Sequence, residues 1–156
     1  MPVRALSEYL DKNDVNYHTY NHTPAVTASE VAQSAHIPGA QLAKTVIVSG
    51  DGELAMAVLP AHQMIDYDRL KRLMKVSSLV LAREDEFTKR FPDCEVGGMP
   101  PLGGMYEMSV YMEKSLLKHD WLAFNAGNHT EVIKMDTGVL KRLIRPVLGG
   151  FVQLEE

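Results

Sequence analysis

The sequence has a single cysteine, Cys94, among 156 residues. No intramolecular disulfide can form, and a reducing, cytoplasmic setting is expected. Nowhere does an apolar run approach the roughly 18 residues that a membrane helix needs. The opening MPVRALSEYL has no long apolar stretch and reads as no signal peptide. Positive charge is not in excess either. The formal net charge is −4, a poor basis for coating nucleic acid, so DNA is not an expected partner. Cysteine pairs, an H-E-x-x-H pair and a carboxylate-rich loop are all absent, so no metal site is expected. His18 and His22 lie four apart, but Pro24 and the β-prone surroundings argue against one helical face. A Walker loop and a G-x-S-x-G elbow are missing too, and ordinary nucleotide hydrolysis and serine-esterase chemistry lose support.

What is present has the composition of an ordinary globular domain, 46% hydrophobic and 23% charged. At this length one domain over residues 1–156 is expected. Leu6, Tyr9 and Leu10 have helical spacing, and the segment from Tyr17 to Tyr20 is β-prone. Thr27-Ala28-Ser29-Glu30 has the form of a capping box that opens a helix ending near Ala35. KTVIVSG and ELAMAVLP predict two strands joined at Asp51-Gly52. Asp66 caps a helix through Lys75, SLVLA reads as a buried strand, and EDEFTKRF reads as a short helix stopped by Pro92. EMSVYM is a strand, WLAFNAG and TEVIKM form a second hairpin around Gly127-Asn128, and Asp136 caps a last helix through Arg145. About seven short strands without regular βαβ alternation predict an α+β fold. Its sheet is expected to be mixed, largely antiparallel and barrel-like, with helices around it.

Three fragments could carry chemistry. Lys44 begins a strand and shares a face with Val46 and Val48 by alternation. If that face is interior, Lys44 is a cation at the mouth of an apolar sheet and needs an anionic partner, one on a ligand included. The other reading is a strand-end lysine that snorkels into water. GGMPPLGG, residues 97–104, combines four glycines with two prolines. It is either a plain turn or a rigid loop whose amides, at Gly98, Met99, Leu102, Gly103 and Gly104, receive a carbonyl or an oxyanion. His129, just past a hairpin turn in NAGNHTEV, is either exposed or a donor and acceptor that titrates near neutral pH. The basic runs Arg69, Lys71, Arg72, Lys75 and Lys141, Arg142, Arg145 read as solvated helix faces.

Taken in order, these fragments resemble the YbaK/prolyl-tRNA-synthetase-associated domain family of aminoacyl-tRNA editing deacylases. HTPAVTASEVA (22–32) resembles its N-terminal signature, and LAKTVIV carries its lysine as Lys44. GGMPP carries a G-x-x-x-P motif at Gly97 and Pro101, followed by Gly103, and FNAGNHTEVI resembles the terminal strand–turn–strand segment. The resemblance implies hydrolysis of the ester that joins a small, wrong amino acid to a non-cognate tRNA. Such an ester is already reactive, so a positioned water and a stabilised oxyanion suffice, with no cofactor or metal. It also implies a catalytic set of Lys44, Gly98 and Met99. The substrate would be bound by His22, Thr45, Gly97, Pro101, Leu102, Gly103, Asn125, Gly127 and His129. Glu113 lies nearest to where family members carry a carboxylate after the loop. The expected partner is the acceptor end of an aminoacyl-tRNA, with a synthetase as a second candidate. No synthetase core accompanies these motifs, so action in trans is expected. Two rival readings are a non-catalytic aminoacyl- or nucleotide-binding module, or synthetase partner, and a hydrolase of small esters or thioesters.

Overall fold

Leu6 and Leu10, one turn apart on α1 (Arg4–Lys12), are fully buried and seat that helix on the core. The computed structural model describes residues 4–25, 27–95 and 97–154. The helices begin where local chemistry starts them. For α2 (Ala28–Ser34), the Thr27 hydroxyl accepts from the Glu30 amide at 3.1 Å and the Glu30 carboxylate accepts from the Thr27 amide at 3.4 Å. Asp66 caps α3 (Tyr67–Met74) by accepting from the Arg69 amide at 3.1 Å. Asp136 caps α5 (Thr137–Ile144) by accepting from the Val139 amide at 3.0 Å. The fourth helix, α4 (Glu84–Phe87), is a single turn.

The strands divide between two sheets. One has the order β4-β2-β3-β5-β8, from β4 (Leu79–Leu81), β2 (Ala43–Gly50), β3 (Glu53–Pro60), β5 (Ser109–Glu113) and β8 (Val147–Gly149). The other has the order β1-β7-β6, from β1 (His18–Asn21), β7 (Glu131–Asp136) and β6 (Trp121–Asn125). Pairing is antiparallel except at β3–β5 and β5–β8. Alternation along the central hairpin feeds two cores. Ile47, Met56 and Val58 join Leu6, Leu10, Met112 and Phe124 on one side. Val48, Ala55, Ala57 and Leu59 join Leu70 and Phe151 on the other. A third cluster, with Val31, Leu42, Ala61, Ala123 and Val132, seats α2 over the smaller sheet.

This is the expected α+β class with mostly antiparallel pairing, but three details differ. The described residues form eight strands rather than seven, because Val147–Gly149 pairs with the outer edge of β5. The strands do not close into a barrel; the two sheets meet at an isolated parallel bridge between Leu42 and Ala123. SLVLA is an exposed edge strand rather than a buried one, with Val80 and Leu81 55% and 58% accessible. Among the described residues, no helix is long and apolar enough to cross a membrane.

Candidate functional site

The turn between β6 and β7 is organised by one side chain. Asn128 Oδ1 accepts from the Thr130 amide at 3.0 Å and the Glu131 amide at 2.9 Å, an Asx-type turn in which Gly127 takes φ +91°. Two distant segments then dock on this turn. From the glycine–proline loop, the Glu95 amide donates to Gly127 O and the Gly127 amide donates to Gly98 O, both at 2.9 Å. Asn125 Nδ2 donates to Gly97 O at 3.1 Å. A Cβ on Gly98 would sit 3.0 Å from the Asn128 backbone nitrogen and oxygen, so anything larger than glycine must push the two backbones apart. From the HTPA segment, the His22 amide donates to Thr130 O at 2.8 Å and the Ala25 amide donates to His129 O at 3.1 Å.

His129 is therefore not an exposed turn residue. Its side chain is 16% accessible, and Nδ1 lies 3.3 Å from Glu95 Oε2. Residue typing alone misses Glu95, since an acid before a glycine run reads as solvated. Two buried polar atoms at the turn have no hydrogen-bond partner among the described residues, Asn125 Oδ1 and His22 Nε2. His22 Nδ1 lies 2.7 Å from the carbonyl oxygen of Thr23 and so carries the ring proton in the neutral form, which leaves Nε2 as an acceptor.

Lys44 enters from the larger sheet. It is half-buried, and Nζ donates to Ala61 O at 3.3 Å. Burial disfavours its charged form and lowers its pKa from the ordinary lysine value. The parallel bridge between Leu42 and Ala123 fixes its direction. Two residues further along each strand, alternation returns Lys44 and Asn125 to the side that Leu42 and Ala123 share. The same rule puts Thr45 on the opposite face of β2, where its buried Oγ1 has no partner among the described residues. Asn125, Gly97, Gly98, Gly127, His22 and His129 gather around one turn, while Lys44 lies on the Leu42 face of β2 with its ammonium on Ala61 O.

The loop itself divides into two parts. The Gly98 amide is committed to Glu95 O at 2.9 Å, whereas the Met99 amide makes no hydrogen bond to a described residue. The Met99 and Leu102 side chains are buried in the main core, and Pro100 and Pro101 are buried beside them. A Cβ on Gly103 would collide with the Met108 carbonyl oxygen, so this glycine is required by close packing. Glu113 serves the fold. Burial alone would raise its pKa, but hydrogen bonds from Ser115 and from the Phe151 and Val152 backbone outweigh that and hold it below the usual carboxylate value. Its two oxygens accept from the Ser115 amide at 2.8 Å and the Phe151 amide at 2.9 Å, which fastens the C-terminal segment to β5.

Residues 22–143 match the aminoacyl-tRNA editing domain family. A proline–tRNA ligase of Oleidesulfovibrio alaskensis is 28% identical over 136 residues, covering 85% of this chain and 22% of the ligase. A proline–tRNA ligase of Fervidobacterium nodosum is 31% identical over 83 residues, covering 53% of this chain and 14% of the ligase. The chain thus spans less than a quarter of these curated relatives. A crystal structure provisionally assigned as a trans-editing enzyme for prolyl tRNA synthetase superposes with a TM-score of 0.82 at 18% identity, covering 97% of each chain. The chain belongs to the aminoacyl-tRNA editing domain family.

Proposed function

We propose that this chain hydrolyses, in trans, the ester between a small, wrongly attached amino acid and the terminal ribose of a tRNA. The observation that carries this reading is the convergence on the Asn125–Thr130 turn. The glycine–proline loop and the HTPA segment dock on it. Water adds to the ester carbonyl carbon, and the carbonyl oxygen carries negative charge in the tetrahedral intermediate. Collapse expels the ribose oxygen, which takes a proton, and leaves a free amino acid and an intact tRNA. The Met99 amide is a fixed donor for the developing oxyanion, and a donor of this kind is worth about 2.7–4 kcal/mol of barrier. Lys44 acts as an electrostatic and positioning group beside it. Gly97, Gly98, Pro101, Gly127, Asn125, His22 and His129 line the pocket. Leu102 and Gly103 hold the loop against the core.

A second pocket has a physical purpose here. One methylene is worth only about 1–3 kcal/mol of discrimination, so a synthetase site does not strongly reject a smaller or isosteric amino acid. A rigid wall built on glycine and proline excludes a large residue and admits a small one. The curated relatives are proline–tRNA ligases, which makes proline tRNA the first acceptor to test.

The test is a panel of tRNAs charged with Ala, Cys, Ser, Thr, Phe or Trp, scored for release of the amino acid. Rapid release of one small residue from a non-cognate tRNA is expected. Tight binding without turnover would favour an aminoacyl-binding module instead. Hydrolysis of simple esters without preference for tRNA would favour a small-ester hydrolase, and efficient release of Phe or Trp would contradict the small pocket.

A further inference from the structure

The exposed apolar edge at β4 has a geometry that suits a particular partner. Three residues, Leu79–Leu81, pair with β2 on one side only, and the strand is the last in its sheet. The register puts Val80 opposite Ser49, while the Ala82 amide donates to Ile47 O and the Asp51 amide donates to Ser78 O. Antiparallel pairing alternates, so the residues between these positions, Leu79 and Leu81, turn their backbone N–H and C=O groups away from β2. Among the described residues those groups have no partner, and they form a short open row. The strand contains no proline, no lysine and no bulge, and only its shortness, three residues, limits the edge. Val80 and Leu81 are more than half exposed beside that row.

Charge at the two ends of the strand is opposite in sign. A groove before it is lined by Lys71, Arg72 and Lys75 with a single carboxylate, Asp68. Directly after it come the exposed carboxylates Glu84, Asp85 and Glu86, with a single guanidinium, Arg83, which pairs with Asp85 at 3.1 Å and Glu86 at 3.5 Å. An antiparallel copy of the same strand brings each basic end against an acidic end. A twofold axis through Val80 pairs Leu79 with the partner copy's Leu81, which satisfies the outward backbone groups. The same axis turns the basic end of each copy, which carries Lys75, toward the acidic end of the other, which carries Asp85.

We propose that β4 is a self-association edge. Through it two copies of this chain form a twofold dimer with a continuous ten-stranded sheet, independently of any activity at the turn site. The strand is short, so the dimer is weak and depends on concentration.

Sedimentation velocity of the full chain from micromolar to near-millimolar concentration tests this. A monomer–dimer equilibrium is expected, and Leu81→Lys shifts it to monomer while leaving the melting temperature of the dilute protein unchanged. Lys75→Glu weakens the dimer, and Lys75→Glu with Asp85→Lys restores it. Amide hydrogen exchange of the wild type needs no variant: the Leu79 and Leu81 amides gain protection as concentration rises. A monomer throughout the range, a dimer unaffected by Leu81→Lys, or concentration-independent exchange at Leu79 and Leu81 would overturn the proposal.

Discussion

The molecule contains two antiparallel hairpins built to the same plan and finished differently. The β2–β3 hairpin pairs eight residues from each strand and closes through Asp51 and Gly52, at φ 50° and 86°. Its turn is completed by local chemistry, since left-handed backbone at both positions suits Asp-Gly and matches the twist of the strands. The Asp51 carboxylate accepts from the amides of Ser77 and Ser78 at 3.1 and 2.9 Å, and no heavy atom lies near the face of Gly52. The β6–β7 hairpin pairs five residues from each strand, and its longer turn is completed by segments from far away in the chain. The β2–β3 turn takes its left-handed backbone from its own two residues, and the Ser77–Ser78 segment only braces it. The β6–β7 turn is completed by two distant segments, and on that arrangement the proposed substrate site rests.

This contrast can be broken at defined positions. The largest structural effect is expected at Gly103, where any Cβ collides with the Met108 carbonyl. Overpacking typically costs about 1–3 kcal/mol and more against backbone. At about 2–4 °C per kcal/mol for a domain of this size, Gly103→Ala should lower the melting temperature by several degrees at least. An unchanged melt would show that the loop is not clamped to the core.

Glu113→Gln comes next. It leaves one of two backbone amides facing an NH2 group, which costs about 1–3 kcal/mol. The pH dependence follows from the lowered pKa of Glu113 in the fold. Its stabilisation is fully present above the unfolded carboxylate pKa of about 4.3 and is lost as pH falls through the lower folded value. The variant lacks this term, so its melting temperature should fall less than that of the wild type on acidification. Parallel losses in the two proteins would contradict the assignment.

The two turns are compared directly by Gly98→Ala and Gly52→Ala. Gly98→Ala forces the loop off Asn128 and should slow deacylation at least about tenfold, or about 1.4 kcal/mol of barrier, with a small change in melting temperature. Gly52→Ala places a side chain at positive φ, costing roughly 1–2 kcal/mol, and should leave deacylation untouched. Equal kinetic losses in both variants would erase the distinction between the turns.

Local chemistry made most elements legible in the sequence. The Thr27–Glu30 box, the Asp66 and Asp136 caps and the Asp51-Gly52 turn each depend on residues a few positions apart, and each is formed. Long-range pairing was less legible. Closure of the sheet, the attachment of Val147–Gly149 and the exposure of Val80 depend on which strands lie alongside, and apolar spacing does not encode that. In the candidate site, the residue types drew attention to Lys44, the glycine–proline loop and His129. Glu95 was hidden because its partner lies more than thirty positions later.

Lys44 is proposed to serve the chemistry at the β6–β7 turn rather than the fold. Single-turnover deacylation and thermal melting of wild type, Lys44→Ala and Lys44→Arg test it most directly. Lys44→Ala should lose about 2.7–4 kcal/mol of transition-state stabilisation, the scale of a lost oxyanion donor, roughly a hundredfold to a thousandfold in rate. Its melting temperature should stay nearly unchanged, because removing the lysine also removes the burial that disfavours its charge. Lys44→Arg should recover only part of the rate, since a planar guanidinium does not replace a compact ammonium. Near-normal deacylation by a folded Lys44→Ala, or its failure to fold, would contradict the account.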